Sequence, residues 1–168
     1  RFVYNKALVL QKENHEAGNK FIGYVEMAKH LTSWRNSKET PWLKDSPCHP
    51  LQHSLKDLDK AYKNFFANRS KFPRFKKRGV GSSFRYPDPQ QIELDPVNSR
   101  ICLPKLGWIR YRSSREITGD LRNVTVSCNG EKWFVSIQTQ RNVEELKTLA
   151  TSAVGIDVGI THFATFSD

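Results

Sequence analysis

The chain has 168 residues, of which 27 are Lys or Arg and 17 are Asp or Glu, so its net charge is +10 and its pI is about 9.7. This length suffices for one large domain or two small ones. The positive charge favours a polyanionic partner. A membrane surface is the rival partner, but no apolar run approaches the roughly 20 residues that span a bilayer. The first residues also lack the apolar core of a signal peptide.

The cysteines and histidines argue against disulfides and zinc within this stretch. The three cysteines, Cys48, Cys102 and Cys128, are odd in number, far apart and without a C-x-x-C pair. The five histidines show no metal-ligand spacing. This cysteine usage favours a reducing cytosol. Because the chain has no initiator Met and stops just after a strand-like run, we interpret it as a fragment.

The first half of the chain reads as helical. Apolar residues recur at helical spacing up to Gly18, at Phe2, Val3, Ala7, Leu8 and Leu10. A second amphipathic helix is predicted after Gly23, with Tyr24, Met27, Leu31 and Trp34 on one face. Thr40 before Pro41 predicts an N-cap and first turn.

The strongest helical pattern is predicted to begin at Pro50. Its apolar stripe contains Leu51, Leu55, Leu58, Tyr62, Phe65 and Phe66. Polar residues face away from this stripe, at Gln52, Lys56, Asp59, Lys60 and Lys63. Such a face could lie in a DNA groove, where Gln pairs with adenine and Lys contacts phosphate. An ordinary solvated helix face is the simpler interpretation of the same pattern.

The positive charge is concentrated in the middle of the chain. Residues 51–88 carry ten basic and three acidic groups, a net charge of +7. Six of the cations fall within ten residues, at Arg69, Lys71, Arg74, Lys76, Lys77 and Arg78. This composition predicts a loop that contacts phosphates, with Phe72 and Phe75 either stacking on bases or packing the loop down. The alternative is a solvated loop with aromatic anchors.

Short strands follow from residue 83. They are predicted at Ser83–Tyr86, Ile92–Leu94, Arg100–Leu103 and Trp108–Tyr111. A hairpin is predicted next, in which alternating apolar residues flank a type I′ turn at Asn129-Gly130. Strands at this spacing suggest a small barrel or sandwich. Residues 142–150 read as a polar connection.

Asp157 is the most informative single residue. It lies in a predicted strand, Val154–Ile160, that would otherwise be a plain buried one, with His162–Phe166 as its hairpin partner. A buried carboxylate costs free energy unless something compensates it, and a divalent cation would do so. Two alternatives stay open: an edge Asp satisfied by backbone amides, and the phosphate-binding strand of sugar kinases and Hsp70-type ATPases, which the position late in the chain disfavours.

An ordered set of short stretches resembles the TnpB family, the OrfB proteins of insertion sequences. The set comprises Arg1–Asn5, Trp42–Lys44, Leu51-Gln52 with Leu55, Leu58, Ala61 and Phe65-Phe66, Phe72–Lys77, Ser83–Tyr86, Leu103–Gly107 and Gly155–Ile160. The resemblance runs from Arg1 to Asp168, and its strength lies in the order of the stretches. It implies an RNA-guided DNA endonuclease related to type V CRISPR nucleases, with guide RNA and target DNA as partners and no membrane. It also implies a prokaryotic, cytoplasmic protein associated with the nucleoid.

The resemblance also implies an α+β fold. A helical recognition domain of helix-turn-helix type (1–82) is inserted in a small β-barrel wedge domain that is OB-like (83–150). The first strands of an RNase H-like (RuvC) nuclease domain follow at 151–168. On this basis Asp157 matches the first of three catalytic carboxylates and would bind Mg²⁺ together with carboxylates outside this chain. Zn²⁺ belongs only to a downstream region of the family.

The family's DNA-facing positions fall on residues of this chain. Tyr24, Gln52 and Lys56 match positions that face the target-adjacent DNA motif, and Arg85 lies in the matching Ser83–Tyr86 stretch. We expect the chain alone to bind nucleic acid without cutting it, because one carboxylate cannot hold two metals. A non-catalytic DNA-binding accessory protein of the transposon is the main alternative. A phosphotransferase and a classical transposase are weaker ones.

Overall fold

The computed structural model describes residues 1–79, 81–143, 154–159 and 163–167. The helices are α1 (Phe2–Glu16), α2 (Tyr24–Asn36) and α3 (Cys48–Phe66), with short 3₁₀ turns at Pro41–Lys44 and Pro89–Gln91. The strands are β1 (Ser82–Tyr86), β2 (Glu93–Asp95), β3 (Arg100–Leu103), β4 (Gly107–Arg110), β5 (Asp120–Asn129), β6 (Lys132–Gln140), β7 (Ile156–Asp157) and β8 (Thr165–Phe166). None of the described helices is long and apolar enough to cross a membrane.

The three helices share one apolar core, which confirms the predicted helical first half. Their buried side chains are Val3, Tyr4, Ala7, Leu8, Met27, Leu31, Leu55, Leu58 and Tyr62, with Leu43 of the first 3₁₀ turn. The spacing of these residues places them on one face of each helix, and burying that face stabilises the helices. The buried Gln11 amide donates to the Ile22 carbonyl and accepts from the Ile22 amide, which fixes the connection between α1 and α2.

One local prediction in this unit was wrong, and a second is confirmed only in position. Helix α3 begins at Cys48, two residues before the predicted start at Pro50. Proline is tolerated there because the first turn of a helix leaves its N–H groups without intrahelical acceptors. Thr40 occupies the N-cap position and Pro41 the first turn, as predicted, but the Thr40 side chain makes no capping hydrogen bond. Its hydroxyl instead donates to the Trp34 carbonyl, 2.6 Å away, and so ties the end of α2 to the 3₁₀ turn.

The predicted strands from residue 83 onward are present as two antiparallel three-stranded sheets. One sheet has the order β1-β5-β6 and the other the order β2-β3-β4. A second core lies between them, formed by Tyr86, Ile92, Ile101, Leu103 and Val124. Among the residues that the structure describes, the sheets stay open and do not close into the predicted barrel. The helices and sheets are thus segregated along the chain, as in an α+β arrangement.

The hairpin of β5 and β6 turns one residue later than predicted. Asn129 pairs with Lys132, so the two loop residues are Gly130 and Glu131. Gly130 has φ +61°, whereas Asn129 and Glu131 have negative φ. Positive φ at the first loop residue alone fits a type II′ turn and not the predicted type I′ turn, which needs it at both.

The strand that carries Asp157 is shorter and more exposed than predicted. Only Ile156 and Asp157 form β7, and they pair with Phe166 and Thr165 of β8. Val154, Ile156 and Val158 are between 57% and 68% exposed. A hairpin of two residue pairs has too little apolar surface to bury its own side chains. The predicted strand residue Ile160, its partner-strand residue His162 and the boundary at 150/151 lie outside the described residues, as does most of the 142–150 connection.

A substitution at Leu55 tests whether the three helices share one apolar core. It is 1% exposed, so Leu55→Ala should lower the free energy of unfolding by about 2–5 kcal/mol through lost burial and the cavity left behind. Val25→Ala in α2 is the control, because Val25 is 72% exposed and should change stability by less than about 0.5 kcal/mol. Urea denaturation followed by circular dichroism measures both. Equal effects of the two substitutions would show that α3 does not pack as described.

Candidate nucleic-acid interface

A cleft of about 450 Å³ separates α3 from strand β1. The α3 side contributes His53, Asp57 and Lys60, and the sheet side contributes Arg85. The Arg85 guanidinium donates from Nε to the Thr125 hydroxyl at 3.2 Å, which orients this exposed cation on the sheet surface. The cleft therefore joins the helical unit to the sheet through polar and charged side chains.

His53 is the titratable group of this cleft that the sequence analysis left without a role. Burial, followed by the positive charges of Lys56 and Arg85, lowers the pKa of His53, while Asp57 opposes the shift. The imidazole is therefore neutral at pH 7, where it can accept or donate a hydrogen bond without adding charge. A phosphate bound in the cleft would offset the surrounding positive charge and favour the protonated form.

Tyr24 and Lys56, predicted from the resemblance to act together, lie side by side. The Lys56 ammonium is 5.3 Å from the centre of the Tyr24 ring, a cation–π distance. Gln52 precedes Lys56 by four residues and so lies on the same face of α3. Within the described residues, the Gln52 amide makes no hydrogen bond to another side chain or to the backbone. The three side chains form one half-exposed polar patch, and base reading by them stays a prediction.

Near the end of α3, the polar face carries an ion pair within the helix. Lys63 forms an i,i+4 ion pair with Asp59 at 2.7 Å. This pair lies beyond the turn that carries Lys56, near the end of α3. The solvated-face interpretation thus describes the last turns of α3, whereas the first turns face the cleft and Tyr24.

The segment 69–79 contains neither helix nor strand, which confirms the predicted loop. Asn5 of α1 holds it with two hydrogen bonds, since its side-chain amide donates to the Lys76 carbonyl at 3.1 Å and accepts from the Lys76 amide at 2.9 Å. Pro73 is buried, and the Phe72 ring contacts the rings of Tyr62 and Phe65 edge-on at 5.5 and 5.3 Å. Phe72 therefore packs the loop down, the second of its two predicted roles.

The six cations of the loop do not all play the same part. The Lys76 ammonium lies 4.3 Å from the centre of the Tyr4 ring and 3.8 Å from the Asp57 carboxylate, so it helps to fix the loop. The other five are exposed and, within the part of the chain that the structure describes, form no ion pair: Arg69, Lys71, Arg74, Lys77 and Arg78. Phosphate contact by these five exposed cations stays a prediction.

A second basic surface, on the sheets, was missed. Exposed arginines line two neighbouring grooves of the β unit, at Arg110, Arg112, Arg115 and Arg141. The exposed rings of Trp133 and Phe134 border the same region. The close spacing of arginines at 110, 112 and 115 could have indicated this basic surface from the sequence. Only the fold, however, brings Arg141 from the far end of β6 to this surface.

Asp157 lies on the short β7–β8 hairpin. Around it, the Gly155 amide donates to the Ser167 hydroxyl at 2.7 Å and the Ser167 amide donates to the Gly155 carbonyl at 2.9 Å. The Asp157 carboxylate is exposed and accepts no hydrogen bond from the described residues, so the amide-capped alternative has no support here. One free carboxylate suits a hard cation as a single oxygen ligand. The described residues supply no group of three metal-binding side chains that would complete the site.

No protein-family model matches the chain. Two curated proteins match it over nearly its whole length. "Putative RNA-guided DNA endonuclease InsQ" of Escherichia coli (strain K12) is 58% identical over 168 residues, all of this chain. A "Putative RNA-guided DNA endonuclease" of Streptomyces pristinaespiralis is 33% identical over 172 residues, 99% of this chain. This chain belongs to the same TnpB-like family. The resemblance inferred from the sequence is thereby confirmed.

The relatives are considerably longer than this chain. The chain spans 41% of the Escherichia coli protein and 42% of the Streptomyces protein. A Mycobacterium tuberculosis protein with a similar name is 29% identical over 106 residues. These TnpB-like proteins, which are named for RNA-guided DNA cleavage, are more than twice as long as this chain. For the present chain, that activity is therefore a proposal.

The charges around His53 can be tested by titration. Lys56→Gln should raise the pKa of His53, because it removes a positive charge, whereas Asp57→Asn should lower it further. Because folding lowers this pKa, the stability that His53 contributes should be lost as the pH falls from the unfolded pKa to the folded one. NMR titration of the imidazole protons in each variant measures the shifts. Shifts in the same direction for both variants would contradict the described arrangement.

Proposed function

We propose that this chain is the nucleic-acid-binding part of a longer RNA-guided, Mg²⁺-dependent DNA endonuclease encoded by a transposon. The observation that carries the proposal is the patch of Tyr24, Gln52 and Lys56 beside the cleft lined by Arg85. It places an amide and a cation together on one helix face, the combination that reads base edges and phosphates. The 58% identity to a protein of that name over the whole chain supports it.

The patch on α3 would read the duplex beside the target. Gln52 has the two-sided amide that can pair with an adenine edge in the major groove. Lys56, held against the Tyr24 ring, would contact a phosphate and fix the register of the helix on the duplex. Arg85 faces the same cleft from the sheet and would hold the backbone on the other side. The protein would thus read only a short motif, while base pairing with a guide selects the rest of the target.

The remaining positive charge would hold RNA and the RNA–DNA duplex. The basic loop offers five exposed cations on a backbone fixed by Asn5. The sheet arginines offer a second surface with exposed aromatic rings, a combination suited to backbone and base stacking. Both surfaces would contact the backbones of the guide RNA and of its duplex with target DNA.

In domain terms, the helical unit would be the recognition domain and the two sheets the wedge domain of the family's arrangement. The β7–β8 hairpin would be the first part of an RNase H-like sheet. The exposed apolar residues of that hairpin, Val154, Ile156, Val158 and Phe166, fit a strand pair that packs against further structure in the longer protein.

Asp157 would be one of several carboxylates that hold Mg²⁺. Two bound metal ions would stabilise the attacking and leaving oxygens of the scissile phosphodiester. The contribution of this chain is the exposed carboxylate on a short strand, held in place by the hydrogen bonds between Gly155 and Ser167. The other ligands would come from outside the described residues.

The role of Lys56 is tested by the salt dependence of duplex binding. Lys56→Gln should weaken binding to duplex DNA and reduce the slope of log K against log salt by about 0.9, the value for one lost phosphate contact. Lys63→Gln is the matched control, since Lys63 lies on the same helix but is paired with Asp59. Fluorescence anisotropy with a labelled duplex at several salt concentrations measures both. An unchanged slope for Lys56→Gln would refute its phosphate contact.

The role of Asp157 is tested in a longer protein that contains this chain. Asp157→Ala should reduce Mg²⁺-dependent DNA cleavage to background and leave guide-RNA binding unchanged, because the carboxylate touches metal and not RNA. Asp120→Ala, an exposed carboxylate on β5, is the control and should cleave normally. Gel assays of cleavage and filter binding of RNA give the two readouts. Loss of both activities in Asp157→Ala would mean a structural role.

A further inference from the structure

An open groove on the helical unit has no role in the function described so far. It is bordered by Phe2, Lys6 and Val9 of α1, by Trp42 of the first 3₁₀ turn, and by Lys76 and Arg78 of the basic loop. It lies apart from the patch of Tyr24, Gln52 and Lys56, none of which lines it. We call it the Trp42 groove.

Two aromatic rings form the floor of the Trp42 groove. The rings of Phe2 and Trp42 meet edge to face, with their centres 4.9 Å apart. Phe2 is 40% exposed and Trp42 is 46% exposed, so large ring surfaces remain open to solvent. Leu43, next to Trp42, is fully buried and anchors the turn that carries the indole. The rings are therefore held rigidly at the surface instead of being buried in the core.

The rim of the groove is positively charged. Lys6 lies 5.8 Å from the centre of the Phe2 ring and 5.4 Å from that of Trp34, which holds its ammonium over the aromatic surface. Arg78 faces it from the basic loop. Within the described residues, no carboxylate lines the groove, and neither Lys6 nor Arg78 forms an ion pair. The groove therefore complements a negatively charged ligand with flat, apolar parts.

We propose that the Trp42 groove binds single-stranded DNA, with a base stacked on the Trp42 indole and the adjacent phosphates at Lys6 and Arg78. Only a single strand fits, because the bases of a duplex are stacked on each other and do not present their faces. This inference rests on the proposed function, since a guided nuclease must displace one strand of its target.

The polar groups of the groove give RNA no advantage over DNA. Recognition of RNA commonly uses the 2′-hydroxyl, which an acceptor on the protein can single out. The one amide at the groove, Asn5, is already occupied, because both its oxygen and its nitrogen bind the backbone of Lys76. The free groups on the rim are cations, which bind phosphate and ignore the sugar. We assign the displaced DNA strand to this groove because the proposed function supplies that strand.

The test uses the whole chain, a labelled oligothymidylate and a labelled duplex. Trp42→Leu should weaken binding to the single strand by about tenfold or more, the order found when one base–aromatic stack is lost. Binding to the duplex should stay unchanged. Trp108→Leu, which removes an indole of similar exposure (51%) from strand β4, should leave oligothymidylate affinity unchanged. Trp42→Phe should restore part of the lost affinity, because it keeps a stacking face.

Two further measurements test the role of the rim cations and the choice between DNA and RNA. The Lys6→Gln, Arg78→Gln double variant leaves the core intact and should lower both the single-strand affinity and its salt slope. An oligouridylate of the same length should not exceed oligothymidylate in affinity. Unchanged single-strand binding in both Trp42→Leu and the double variant would overturn the inference, as would a preference for the RNA strand. Absence of duplex binding by the unmodified chain would instead overturn the proposed function.

Discussion

The hydrogen bonds between Asn5 and the backbone of Lys76 are the constraint on which the charged surfaces depend. They join residues 71 positions apart and hold the basic loop against α1. Lys76 adds its contacts with Tyr4 and Asp57. Each hydrogen bond contributes only about 1 kcal/mol. Together these contacts give the loop a defined path, although its cations repel one another. The remaining cations are exposed to solvent.

The fixed loop explains how one small unit can present two different binding surfaces. Lys76 is held beside Asp57, which lines the cleft against β1, and both Lys76 and Arg78 border the Trp42 groove. Duplex reading at α3 and single-strand binding at the groove would then use different side chains. A guided nuclease needs such a division, because it handles a duplex and an opened strand of the same DNA.

Unlike the basic loop, the β7–β8 hairpin is fixed by its own local backbone pairing. Its sequence has the apolar residues of a buried strand, yet these residues are exposed and pair over only two positions. Burial of a strand requires neighbours on both sides, which the described residues do not supply. Asp157 is thus placed by local backbone pairing with Thr165, and in the proposed function it would act together with carboxylates contributed from elsewhere.

The sequence by itself determined the elements whose patterns are local. Helical spacing identified α1 to α3, charge density identified the loop at 69–78, and the ordered stretches identified the family. Only the tertiary structure decided which groups meet, because such contacts depend on chain paths that no local pattern records. It brought Lys56 to Tyr24, committed Lys76 to the fold, and placed Phe2, Trp42 and Arg78 around one groove. The turn type of the β5–β6 hairpin, the open sheets and the exposure of β7 likewise depend on the tertiary structure.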